Sequence, residues 1–298
     1  MWIALTALAP IAWGTTYSVT TEFLPPGHPL FAALLRSLPM GLLAVACTRV
    51  LPTGSWWWKA GVLGVLNIGA LYPLLFVVAE RLPGGVGATL GAVQPIVVVG
   101  LAVAVLRESP SWWRLGWGVA GASGVGLVVL GPGAGLDGIG IAAGLAGTAS
   151  MALGIVLTKR WGRPPGAGPL TLAGWQLAAG GLPLLPLTLL VEGTPPHIDG
   201  RGLAGYLWLG TVGGLLASTL WFRGIGRLPV TATALLVLLS PLVAALIGTL
   251  VLGETLTPVQ SAGFALALAA LLAGQTGGDR LRNALHRRRT GRTPVRSR

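Results

Sequence analysis

From Trp2 to Gly274 the chain is a succession of apolar stretches, each about 20 residues long, joined by short polar links. A helix of that length covers the ~30 Å hydrocarbon core of a bilayer. Backbone N–H and C=O groups in lipid have no water to bond, so only helices or closed barrels satisfy them. The alternating pattern of a barrel strand is absent from these runs, which leaves helices. Composition agrees, because 53% of the 298 residues are hydrophobic and 9% are charged, too few charges for a water-soluble fold.

The expected fold class is therefore all-α, a polytopic membrane protein with ten transmembrane helices. The predicted spans are Trp2–Thr21, Pro29–Leu51, Trp58–Ala79, Gly85–Leu106, Trp112–Leu130, Gly138–Thr158, Pro169–Val191, Leu203–Phe222, Val230–Leu252 and Val259–Gly274. Among the 47 glycines, Gly87/Gly91, Gly140/Gly144 and Gly210/Gly214 have the four-residue spacing that lets helix backbones approach. A composition biased towards Gly, Ala, Pro and Arg is the alternative source of such pairs.

The chain also repeats itself. At an offset of 146 residues, Arg81-Leu82-Pro83 recurs as Arg227-Leu228-Pro229, Pro95 as Pro241, and Val105-Leu106-x-Glu108 as Val251-Leu252-x-Glu254. Upstream the offset is 140, pairing Ala12-x-Gly14 with Ala152-x-Gly154, Ala33 with Ala173 and Gly41 with Gly181. These matches divide the chain into residues 1–132, residues 133–276 and a tail at 277–298. Five spans per half is an odd number, so the second half is expected upside down, an inverted repeat enclosing a central cavity.

Positive charge sets the expected orientation. With the N-terminus inside, the inner links carry Arg49, Lys59, Arg107, Arg114, Lys159, Arg160, Arg163, Arg223 and Arg227, and the outer links carry Arg81 and Arg201. Both termini then lie in the cytoplasm of a bacterial inner membrane. Met1 to Phe23 has the apolarity of a secretory leader but no basic segment before it, and it aligns with the sixth span, so it is read as the first crossing. The tail holds eight Arg and one Asp, seven of the +12 net charge. Its expected partner is the anionic inner leaflet and not nucleic acid.

Several patterns lead elsewhere and are set aside. Gly133-Ala134-Gly135-Leu136-Asp137-Gly138 fits a dinucleotide-binding pattern but joins two apolar spans, where that fold needs a strand. Gly121-Ala122-Ser123-Gly124 resembles an intramembrane protease serine, yet His28, His197 and His286 lie in links and tail. Cys47 is a lone cysteine and no Cys/His set has metal-ligand spacing, so neither a metal nor a cofactor is expected.

Function is expected where polar groups interrupt the spans. Pro95 and Pro241 each remove a helical donor and free a carbonyl four residues earlier, at Gly91 and Val237. Freed carbonyls in a membrane need protein, water or ligand, so paired breaks point to a shared cavity and to hinges. A kink closed by a neighbouring Ser or Thr is the alternative. Gln94 and Ser240 stand beside these breaks, with Thr89, Thr231 and Thr233 on the same helices. The third span adds Asn67 and Tyr72, the eighth Ser218, Thr219 and Trp221, the first Trp13, Thr15, Thr16 and Tyr17, and the seventh Trp175-Gln176 opposite Leu35-Arg36 of the second. The substrate-binding candidates are Trp13, Tyr17, Arg36, Asn67, Tyr72, Gln94, Trp175, Gln176 and Ser240, with interhelical bonding the competing role for each.

Arg36 has two readings. It holds a substrate carboxylate, or it snorkels outward from about 12 Å depth. Glu22, Glu80, Glu108, Glu192 and Glu254 all fall near span ends, which disfavours a mid-membrane carboxylate relay. One buried cation is too few for a phosphorylated solute, leaving neutral or zwitterionic metabolites.

The paired blocks Pro95 to Glu108 and Pro241 to Glu254, ending Leu-Arg-Glu-Ser and Leu-Gly-Glu-Thr before Trp112 and before Pro258-Val259-Gln260, resemble the end of the EamA repeat of the drug/metabolite transporter superfamily. The similarity covers nearly all of Trp2 to Gly274. It implies a ten-helix carrier of two inverted five-helix repeats around a central cavity, exporting amino acids or related metabolites, with amino-acid exporters of the YddG type as the favoured branch. The chain departs from its own repeat at Arg107, where the second half has Gly253, and it shows no motif that fixes the solute. The resemblance implies a small-molecule substrate and is compatible with a monomer. A sugar-phosphate or nucleotide-sugar exchanger is the second transport reading, and a membrane-embedded enzyme or a non-transporting scaffold the reading from another class.

Overall fold

The computed structural model describes residues 1–82, 90–109, 111–129, 137–251 and 256–276. Within them every regular element is a helix. In chain order these are α1 Trp2–Gly14, α2 Thr16–Phe23, α3 Pro29–Thr48, α4 Trp56–Val78, α5 Leu90–Leu106, α6 Trp112–Val129, α7 Gly138–Trp161, α8 Pro169–Val191, α9 Gly200–Arg227, α10 Val230–Val251 and α11 Pro258–Gln275. Seven of them, α3, α4 and α7 to α11, are long and apolar enough to cross a bilayer. Leu190 and Leu250 are 84% and 81% exposed, an outward apolar surface that suits lipid and not water. The chain is a multi-pass membrane protein. The basic tail at 277–298, Thr89, Gly87, Glu254 and most of the glycine-rich link at 133–138 lie outside the described residues.

Helix ends follow their capping chemistry. Asp137 and Asp199 each accept the N–H two positions into the next helix, from Gly140 and Gly202, at 2.7 Å. Thr257 and Gln260 form a reciprocal capping box. The start of α3 is capped from a distance, because the Glu192 carboxylate just past α8 accepts from Leu30 N at 2.6 Å and Phe31 N at 2.9 Å. At the end of α5 Arg107 takes φ 56, a left-handed conformation that glycine adopts without a steric penalty.

Several helix pairs approach at backbone contact, two of them through reciprocal residues. A Cβ on Gly41 of α3 would run into the Ala178 backbone of α8, and one on Gly181 would lie 2.9 Å from Leu38 Cα. Between α6 and α11, a Cβ on Gly124 would lie 2.7 Å from Ala267 N, and one on Gly121 would lie 3.3 Å from Ala270 Cβ. In each pair the later residue of one helix meets the earlier residue of the other, so the partners run antiparallel. The glycine pairs of the sequence do different work: Gly140 and Gly144 receive the Leu82 and Leu90 side chains, Gly214 meets the Arg36 carbonyl, and Gly91 has open space beside it.

The charged residues separate between two ends. At one end the Arg223 and Arg227 guanidiniums lie 4.9 and 4.4 Å from the Trp2 ring, Lys159 Nζ donates to Ile225 O and Leu228 O, and Arg160 donates to Val105 O. At the other, Arg201 pairs with Glu22 at 3.3 Å and Arg81 with Asp137 at 3.6 Å. The polar groups that remain between the ends belong largely to one interior site.

Candidate functional site

The helices line a partly open cavity of about 140 Å³, room for several waters or part of a small solute. Its wall takes Trp13 from α1, Thr16 and Tyr17 from α2, Arg36 from α3, Asn67 and Tyr72 from α4, Gln94 from α5, Thr148 and Met151 from α7, Ser218, Trp221 and Phe222 from α9, and Ser240 and Pro241 from α10. Trp13, Tyr17, Arg36, Asn67, Tyr72, Gln94 and Ser240, seven of the nine candidates, meet there. Trp175, Gln176 and Pro95 are not in the lining.

Irregular winding in two helices shapes this wall. In α4 the chain makes a π turn over Val65–Gly69, and in α9 over Leu209–Leu216. Adding the repeat offset of 146 to the first range gives 211–215, inside the second, so the two halves bulge at equivalent places. A π turn shifts its hydrogen bonds by one residue and leaves carbonyls accessible to other helices. Gly213 O accepts from Trp13 Nε1 at 3.0 Å and Arg36 Nη2 at 3.3 Å, and Leu66 O accepts from Ser150 Oγ at 2.8 Å. Sequence periodicity carries no sign of these turns.

Arg36 does not snorkel. It is 2% exposed, its Nη1 donates to Thr16 Oγ1 at 3.3 Å, and its guanidinium lies 4.5 Å from the Tyr72 ring centroid. Among the described residues it has no carboxylate within ion-pair distance. Among the described residues its Nε has no partner, and neither do Gln94 Nε2 and Trp221 Nε1, both on residues that are 2% exposed. The cation–π contact with Tyr72 offsets part of the cost of burying the charge. Trp221 also stands edge-on to Trp13, ring centroids 5.1 Å apart.

Behind this wall Asn67 Nδ2 donates to Gln176 Oε1 at 2.7 Å, so Gln176 supports the site through Asn67. Gly154 makes room for that amide, since a Cβ there would run into the Asn67 side chain. Asn67→Leu should lower stability by roughly 1–3 kcal/mol, because it leaves a buried amide without its partner. Adding Gln176→Leu should recover much of the loss, and thermal unfolding in detergent reads both. Trp175 is held elsewhere: its Nε1 donates to Val50 O at 2.8 Å and its ring lies 6.1 Å from Trp56, a packing position at the end of α3.

The proline breaks border the cavity. Before Pro95 the helix turns at Val93, whose carbonyl accepts from Ile96 N at 3.0 Å; before Pro241, Val237 O accepts from Ser240 N at 2.9 Å. Gly91 and Val237, whose carbonyls lose their helical donors, both face the cavity. Thr148, Met151 and Phe222 escaped the sequence reading. The only available signal was the spacing of Gly144, Gly147, Thr148 and Met151 along one face of α7.

The sequence profile of the EamA-like transporter family matches residues 1–130 and 138–273. Protein PecM of Dickeya dadantii is 44% identical over 264 residues, covering 89% of each chain. A protein of Salmonella typhimurium described as a probable amino-acid metabolite efflux pump is 28% identical over 287 residues, covering 90% of this chain and 92% of its own. A WAT1-related chloroplast protein of Arabidopsis thaliana is 28% identical over 275 residues, 87% of this chain and 66% of the other. In fold, the chain matches a crystal structure at a TM-score of 0.78 and 17% identity, over 93% of this chain and 97% of that one.

Proposed function

The chain belongs to the EamA-like transporter family, and from that premise we propose that it exports amino acids or related small amphipathic metabolites across a bacterial inner membrane by alternating access. The observation that carries this is the interior cavity, lined by polar groups and aromatic rings from helices of both halves. The Salmonella relative described as a probable amino-acid metabolite efflux pump supports the solute class.

In this reading ten crossings form two inverted five-helix repeats. Reciprocal contacts support it. Gly41 meets Ala178 and Gly181 meets Leu38, positions exchanged by the 140-residue offset; Gly121 with Ala270 and Gly124 with Ala267 are exchanged by the 146-residue offset. A two-fold relation between the halves generates such exchanged pairs, and their antiparallel course is that of inversion. The basic end faces the cytoplasm with both termini, and the tail at 277–298 meets the anionic leaflet. Trp13, Tyr17, Arg36, Asn67, Tyr72, Gln94 and Ser240 contact the solute, and Pro95 and Pro241 flex as the cavity changes side. One buried cation disfavours a sugar-phosphate exchanger.

Proteoliposomes holding the purified protein should take up labelled amino acids faster than empty vesicles; no excess flux for any of them would remove the assignment. For the topology, Ile3→Cys and Ile139→Cys in a Cys47→Ser background should react with impermeant maleimide from opposite sides. Labelling from one side refutes inversion.

A further inference from the structure

We infer that the cavity recognises its solute by a single carboxylate on an apolar body, held by Arg36, Gln94 and Trp221, which makes carboxylate-bearing compounds the substrate class. This deepens the export reading and rests on it.

Among the described residues, three buried N–H donors without partners belong to residues that line the cavity: Arg36 Nε, Gln94 Nε2 and Trp221 Nε1. Buried donors are nearly always bonded, so three orphans around one hollow point to a ligand rich in acceptors. A carboxylate offers two oxygens with about four lone-pair sites, enough for all three. Charge narrows the choice. Arg36 is the one charged group among the described lining residues, so the fixed charge matches a monoanion. A phosphate dianion would meet one cation where it needs several, and a simple amine would meet a guanidinium with nothing negative to hold it.

The bonds Arg36 already makes leave it available. Both go to neutral oxygens at 3.3 Å, one of them the Thr16 hydroxyl, and both are longer than the charge-assisted bonds a carboxylate forms. The rest of the wall is apolar or aromatic, with Leu71, Tyr72, Met151 and Phe222 placed to cover a hydrocarbon or ring.

Four probes with one aromatic body test this on the purified full chain: 3-phenylpropionate, L-phenylalanine, 2-phenylethylamine and phenyl phosphate. Binding is read by thermal stabilisation and by quenching of tryptophan fluorescence. The two carboxylates should bind at least about tenfold tighter than the amine and the phosphate. Arg36→Gln should weaken carboxylate binding roughly thirtyfold or more, Arg36→Lys less, and Trp221→Phe, which keeps a ring and loses the N–H, by about tenfold. Equal binding of the amine, unchanged carboxylate affinity in Arg36→Gln, or no binding of any probe would each overturn the inference. Should Arg36→Gln fail to fold, Trp221→Phe and the probe series still decide. Amino-acid flux in proteoliposomes separates the two readings: flux without carboxylate preference sinks this inference alone, and carboxylate binding without flux sinks the export reading alone.

Discussion

Leucine at Gly41 is expected to eliminate folded protein. A Cβ at this position already overlaps the Ala178 backbone and would lie 2.7 Å from the Leu177 carbonyl carbon. The obstruction is main chain inside a helix, which has no rotamer to yield. Overpacking a core that adjusts costs about 1–3 kcal/mol. Here α3 and α8 must separate along their whole contact, and the cost should take most of the ~5–15 kcal/mol that holds a typical fold. Gly181→Leu should behave alike, because its Cβ would fall on Leu38 in the reciprocal contact. Gly61→Leu is the control, with nothing within 4 Å of its Cβ, and it should express as the parent does. Size-exclusion profiles and thermal unfolding in detergent read all three. A monodisperse Gly41→Leu protein melting within a few degrees of the parent would refute this account of the helix crossing.

The same contact shows what a sequence carries and what it hides. Apolar runs fix that the chain crosses a membrane as helices, since lipid leaves the backbone no other partners. Repeat offsets name equivalent residues, and polar groups inside apolar runs mark Arg36, Gln94 and Ser240 as unusual. Which way each one faces is not in the pattern. Gln176 aligns with Arg36, yet Arg36 lines the cavity and Gln176 stands behind Asn67. Each π turn inserts a residue into its helix and rotates everything after it by about 100°, which breaks the 3.6-residue bookkeeping from which a face is read. Snorkelling or burial of Arg36 was likewise undecidable from one helix. Thr16, Tyr72 and Gly213 decide it, and they come from three other elements. Trp175 reads as a pocket ring because it is aromatic, inside a span and adjacent to the position that aligns with Arg36, but the carbonyl it serves, Val50, lies just past the end of α3.

Replacing both Pro95 and Pro241 by alanine should slow transport by about tenfold or more while leaving solute affinity within about threefold, a rise of ~1.4 kcal/mol in the barrier. Alanine returns an N–H to each site, and that donor can close the helical bond to Gly91 O or Val237 O. Both residues line the cavity, and in the alternating access proposed above the helices that gain these bonds are the ones that bend. Arg36, Gln94 and Trp221 keep their places, so binding should survive. Each single variant should fall between the parent and the double, since each proline interrupts its own half. Stability should not drop, because proline inside a helix costs ~3 kcal/mol relative to alanine and the tight turns at Val93 and Val237 lose their cause. Initial rates in proteoliposomes, set beside affinity from fluorescence quenching, separate motion from binding. A double variant with parental turnover would strip both prolines of a hinge role and leave the breaks as features of packing alone.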